Sequence, residues 1–218
     1  MSTDELVQPL GPRSAKGRWI HLLSLLALLL LAGCGDRQAA LTPLPTDGVI
    51  LAFGDSLTFG TGAPREVSYP SVLEELTGRK VIRSGVPGEL TSGGLARLPA
   101  VLDTHQPALL ILCHGGNDML RRTGLEQMAD NLRAMIALAR DRGVQVVLVG
   151  VPKPGLFLSA AEIYGEIAAA AQIPIEAEAL ADILGDNGLK SDAIHPNATG
   201  YRRLAEALAA LLREAGAT

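Results

Sequence analysis

Val49-Ile50-Leu51-Ala52-Phe53 runs directly into Gly54-Asp55-Ser56-Leu57. The first five residues are apolar without alternation. That pattern marks a strand covered on both faces, because a half-exposed strand would alternate. Gly54 permits a sharp change of direction at the strand's end. The same grammar recurs at Ala108-Leu109-Leu110-Ile111-Leu112-Cys113, which ends in His114-Gly115-Gly116-Asn117-Asp118, and a third strong strand covers Val144 to Val149. Val81-Ile82 and Ile173-Pro174-Ile175 read as weaker strands.

Longer amphipathic stretches separate these runs. Tyr69 to Thr77 is helical, with Gly78 as its stop. Gly94 to His105 reads as a helix interrupted near Pro99. Leu125 to Arg142 sets Leu125, Met128, Leu132, Met135, Ile136 and Ala139 at steps of three and four, one face of a helix ended by Gly143. Ala160 to Ala171 and Tyr201 to Arg213 complete the set. Strands and helices in alternation give a three-layer α/β domain around a parallel sheet. In such sheets ligands bind beyond the carboxyl ends of the strands, so the residues just after the strong strands are where chemistry is expected.

The chain has 218 residues, enough for one domain after a targeting segment, and 48% are hydrophobic. The net charge is −4 with no basic cluster in the folded part, which argues against a nucleic-acid partner. The only cysteines are Cys34 and Cys113, and neither has a second thiol at metal-ligand spacing, so no metal site or disulfide framework is expected. Cys113 reads as a buried small hydrophobe.

At the N-terminus Lys16, Arg18 and Trp19 precede an apolar run over residues 20–32 that includes His21. This is the layout of a secretory signal, and the run is shorter than the ~20 residues of a membrane-spanning helix. Leu31-Ala32-Gly33-Cys34 resembles the lipobox of bacterial lipoproteins. The resemblance implies cleavage before Cys34 and diacylglycerol on its thiol, hence a membrane partner through several acyl chains. It divides the chain into a signal peptide (1–33), a lipidated tether (34–47) and a domain (48–218). A chance cysteine, or one paired with Cys113, is the alternative. Position 35 is Gly, not Asp, which favours the periplasmic face of the outer membrane over inner-membrane retention.

Three short blocks carry the candidate chemistry. Ser56 sits on the turn after the first strand. Gly115-Gly116-Asn117-Asp118 follows the second strong strand; its glycines let backbone approach a ligand, and an Asn amide can donate to a developing oxyanion. Asp192-Ala193-Ile194-His195-Pro196-Asn197 supplies a base for a hydroxyl nucleophile and an acid to orient that base. Taken singly, each block has a plainer reading: a turn or capping serine, a glycine turn with a capping Asp, and a surface histidine beside a helix capped by Asn197.

Together, in this order and spacing, the blocks resemble the SGNH (GDSL-type) hydrolases, with Gly85-Val86-Pro87-Gly88-Glu89 as a further block. Gly94-Leu95-Ala96-Arg97-Leu98-Pro99 is similar to the branch of periplasmic thioesterase–lysophospholipases and bacterial arylesterases. The resemblance covers the chain from Gly48 onward. It implies a flavodoxin-like sheet of about five parallel strands. It also implies hydrolysis of acyl esters through an acyl-enzyme, with no cofactor. Ser56 would be the nucleophile, His195 the base and Asp192 its orienting acid. The Ser56 and Gly88 N–H groups and the Asn117 side chain would form the oxyanion hole.

Arg83, Pro87 and His114 depart from the family pattern. His114 reads as packing, His105 as a helix-end residue, Asp55 as bonding within its turn, and Asp118 as a cap or turn residue. Asp182 and Asp186 are the other acids near enough in sequence to replace Asp192. Polysaccharide O-acetyl groups are the rival substrate, and a non-catalytic binding module is the rival class.

Overall fold

The computed structural model describes residues 39–153, 155 and 159–218. The expected signal peptide, His21 and Cys34 lie outside the described residues. In chain order the elements are β1 (Ile50–Gly54), α1 (Ser56–Phe59), a 3₁₀ turn (Arg65–Val67), α2 (Tyr69–Thr77), β2 (Val81–Gly85), α3 (Thr91–His105) and β3 (Leu109–Cys113). Then come α4 (Gly116–Arg121), α5 (Leu125–Arg140), β4 (Gln145–Val149), α6 (Glu162–Ala171), β5 (Ile175–Glu176), α7 (Ala179–Gly185) and α8 (Ala198–Glu214).

All five strands are parallel, in the order β2-β1-β3-β4-β5. Every residue of β1 and β3 is buried, as their unbroken apolar runs require. Helices α2 and α8 pack together, as do α3, α5 and α6, and these layers flank the sheet. The strand order reverses between β1 and β3, the position where doubly wound sheets open a ligand crevice. Ser56 leaves the end of β1 and Asn117 lies just beyond β3, so the topology alone brings them together.

One local expectation needs correction, and other features add to the sequence reading. Helix α3 starts at Thr91 and runs through Pro99 without a break. A proline there removes one helix hydrogen bond, at a cost of roughly 3 kcal/mol. Leu98 and Leu102, both buried, anchor the helix on either side of it. The glycine-rich Gly115–Asp118 stretch is the start of a short helix, α4, entered through Gly115 at φ 108. Helix α7 is too short for its period to show in sequence, yet it buries Leu180, Ile183 and Leu184. Within the expected tether, residues 41–45 pack onto the domain. The Leu41 N–H donates to the Ala215 carbonyl at 2.7 Å and the Leu44 N–H to Ala217 at 2.9 Å. Thr42 exchanges two hydrogen bonds with the Gln145 side chain, and Leu44 is buried. Among the described residues no helix is long and apolar enough to cross a membrane.

Beside the site, the ends of the paired strands β1 and β3 leave no room for a side chain at Gly54. A Cβ on Gly54 would collide with the Cys113 carbonyl and the Thr58 hydroxyl. Neither obstacle is the free end of a flexible chain. Gly54→Ala is therefore expected to destabilise the domain by about 3 kcal/mol or more, read from the urea midpoint. An unchanged midpoint would show that the two strands can part without cost.

Candidate active site

Ser56 is the first residue of α1, and the cap is its neighbour: Asp55 accepts the Leu57 N–H at 3.1 Å. Fully buried, Asp55 has its carboxyl pushed above the usual range by desolvation. The nearby His114 ring and the Leu57 N–H act against that without cancelling it. The Ser56 Oγ lies 3.0 Å from His195 Nε2, and His195 Nδ1 lies 2.8 Å from Asp192 Oδ2. A carboxylate can only accept, so Nδ1 carries the hydrogen and Nε2 presents its lone pair to the serine hydroxyl.

The loop that carries His195 is locally closed. Asp192 Oδ1 accepts the N–H groups of Ile194 and His195, each at 2.9 Å. The Ser191 N–H returns to the His195 carbonyl at 2.9 Å. Asn197 then caps α8 by accepting from Thr199 and Gly200. Partial burial acts to raise the Asp192 carboxyl, but the His195 ring and the two N–H donors outweigh it and hold it below the usual carboxylate range. The capping role of Asn197 and the pairing of His195 with Asp192 are thus both present. Asp182 and Asp186 make no bond to His195; Asp186 instead accepts the Gly188 N–H.

Pro87 fits a turn within the expected Gly85–Glu89 block. Glu89 N–H donates to Val86 O at 3.1 Å, and Gly88 has φ 76, so Pro-Gly occupies the centre of a turn that needs those two residues. Asn117 Nδ2 donates to the Glu89 carbonyl at 3.1 Å and to Asp55 Oδ2 at 3.2 Å. Among the described residues, neither the Ser56 nor the Gly88 N–H donates to another protein group. Ser56, Asn117 and His195 line one cavity of about 320 Å³, with Leu57, Leu120, Val151, Leu184 and Ile194 among its walls. Gly88 does not line it, but adjoins the residue that holds Asn117.

The apolar walls come from five separate segments and carry no sequence signature. Of the remaining candidates, Arg83 donates to the Phe59 carbonyl at 2.7 Å and stacks on that ring, so it holds the end of α1. Asp118 caps α3, not its own helix, by accepting the Thr91 N–H and hydroxyl at 2.9 and 2.7 Å. His114 is buried and hydrogen-bonded to Glu89, more than packing. His105 is the exposed last residue of α3 and Cys113 is a buried free thiol. Among the described residues, no group of three His, Cys, Asp or Glu is arranged to hold a metal ion.

Residues 52–203 match the model of the GDSL-like Lipase/Acylhydrolase family. The chain is 31% identical to Esterase TesA of Pseudomonas aeruginosa over 191 residues, covering 82% of this chain and 94% of that one. It is 36% identical to an arylesterase of Vibrio mimicus over 140 residues, 62% of this chain and 66% of that one. The crystal structure of TesA superposes with a TM-score of 0.71 at 30% identity, covering 77% of this chain and 99% of that one.

The hydrogen-bond chain makes a prediction about serine reactivity. The base must be neutral to accept the serine proton, so capture of Ser56 by a fluorophosphonate should rise with pH through one ionisation and then level off. Asp192→Asn should slow that capture by about 10²- to 10⁴-fold, by upsetting the tautomer, while circular dichroism stays unchanged. Wild-type capture by the variant would remove Asp192 from the relay.

Proposed function

The chain belongs to the GDSL-like lipase/acylhydrolase family, and from that premise we propose that it is a serine esterase of acyl esters. Aryl esters and lysophospholipids are its expected substrates, with acyl thioesters as a further class. The observation that carries this reading is the Ser56–His195–Asp192 chain of hydrogen bonds opening into an apolar-walled cavity. The names of the relatives, an esterase and an arylesterase, support it.

In this scheme Ser56 Oγ attacks the acyl carbonyl as His195 Nε2 takes its proton. The N–H groups of Ser56 and Gly88 and the Asn117 amide receive the oxyanion. Collapse expels the alcohol or thiol, which takes the proton back from His195. Water, deprotonated by the same histidine, then frees the acid and restores Ser56. The scheme uses no cofactor.

Ser56→Ala should lower p-nitrophenyl ester turnover to the small residue that binding and the oxyanion donors supply, about 10³-fold or more below wild type. It should also abolish fluorophosphonate labelling. A fully active Ser56→Ala variant would remove the assignment, and a folded wild type that neither labels nor turns over would be a binding module. A panel of p-nitrophenyl esters, acyl-CoA, lysophospholipid and acetylated glycan ranks the substrates. Preference for the glycan would move the assignment to polysaccharide deacetylation.

The proposal extends to location. Lipidation of Cys34 would place the domain in the cell envelope, on the periplasmic face of the outer membrane. The basic stretch, the short apolar run and Gly33-Cys34 support this. Cys34→Ser should release the protein from the membrane fraction and abolish incorporation of radiolabelled palmitate. A variant that stays bound, with no label on the wild type, would replace the lipid anchor with an uncleaved signal anchor.

A further inference from the structure

Glu89 is joined to more of the site than any motif suggests. Its carboxylate receives Arg97 Nε at 2.8 and 3.0 Å and Nη2 at 2.8 Å. His114 Nε2 lies 3.2 Å from its Oε2. The Gly115 N–H donates to His114 Nδ1 at 3.0 Å, so Nδ1 is the acceptor and Nε2 carries the hydrogen, directed at Glu89. Arg97 reaches further. Its Nη2 donates to the carbonyls of Gly54 and Ser84, each at 3.0 Å, and its Nη1 to Ser84 Oγ at 2.7 Å. The guanidinium also lies 3.8 Å over the Phe53 ring. The carboxyl ends of β1 and β2, and the residue following β3, are all tied to one carboxylate.

That carboxylate belongs to the residue whose carbonyl accepts Asn117 Nδ2. Both Asn117 amide hydrogens have protein acceptors in the resting site, Glu89 O and Asp55 Oδ2. An oxyanion would share one of them, so the aim of the amide is set before substrate arrives. Such preorganised aim is what makes an oxyanion donor effective. A partly buried ion pair adds little net stability, because desolvation offsets the attraction. The side chains are largely withdrawn from water, with His114 0% and Glu89 10% exposed. Burial acts to raise the Glu89 carboxyl, but His114 and Arg97 outweigh it and keep it below the usual range.

We propose that Arg97 and His114 are positioning residues that act through Glu89, fixing the main chain that aims the Asn117 amide and carries the adjacent Gly88 N–H. The proposal rests on the esterase reading of Ser56. Misaimed donors weaken the transition state more than the ground state, so the loss falls on kcat and spares KM.

The test uses the full chain and p-nitrophenyl butyrate, with rates normalised to folded protein by circular dichroism. Glu89→Ala keeps the carbonyl but frees it, and should lower kcat by about ten- to a hundredfold with KM within about twofold. Glu89→Gln still offers an oxygen to Arg97 and should recover to within about threefold of wild type. His114→Leu removes one carboxylate partner and the Gly115 acceptor, and should lower kcat in the same direction by a smaller factor. If Glu89→Ala does not fold, His114→Leu and Arg97→Lys carry the test by the same split. Wild-type kcat in a folded Glu89→Ala variant, a change confined to KM, or no rescue by Gln would overturn the proposal. A wild type without turnover would overturn the esterase reading itself, and that is seen before any variant is made.

Discussion

The close approach of β1 and β3 where Gly54 faces Cys113 governs the geometry of everything above it. No side chain fits between the two strand ends, so the turns that follow them leave the sheet side by side. One turn presents Ser56 and the other Asn117, and Asp55 bonds to both Leu57 and Asn117 across the gap. The third partner, His195, arrives from far along the chain. It needs no strand, because its loop is closed by its own Asp192 and pinned by the cap of α8.

Beneath the site lies a layer of polar groups that an ordinary core would exclude. Asp55, His114, Asp118, Thr91 and Asn131 are all buried. An unpaired polar group there would cost about 1–3 kcal/mol. Among the described residues every buried side-chain polar atom has a partner. Asp118 and Asn131 meet at Thr91 and fix the start of α3. Helix α3 in turn carries Arg97 to the strand ends. The helix cap and the clasp at Glu89 are therefore parts of one arrangement, and the rigidity of the site is inherited from its surroundings.

The features legible in sequence were those with a strong local cause. Unbroken apolar runs gave β1, β3 and β4, and steps of three and four gave α5, because burial dictates composition residue by residue. Ser56, Asp192 and His195 were readable as short blocks, and the structure brings all three within hydrogen-bond distance. What stayed hidden depends on distant partners. Pro99 signals a break that two buried leucines override. Pro87 departs from the family pattern in sequence, and its turn with Gly88 gives the physical reason. His114 reads as packing in sequence because its partner, Glu89, lies on another segment.

The docked strap at residues 41–45 bears on which ester could reach Ser56. Thr42 holds Gln145 at the amino end of β4, whereas Ser56 follows the carboxyl end of β1. In a parallel sheet those are opposite edges, separated by the length of a five-residue strand, about 17 Å. The stretch from Cys34 to Leu41 spans at most about 25 Å when fully extended, and about 15 Å as a flexible coil. The chain therefore enters the domain at the end of the sheet opposite the nucleophile. A reach of about 25 Å exceeds the roughly 17 Å of a strand, so an anchor at Cys34, were it lipidated as proposed, would leave Ser56 within reach of esters from a membrane as well as from water.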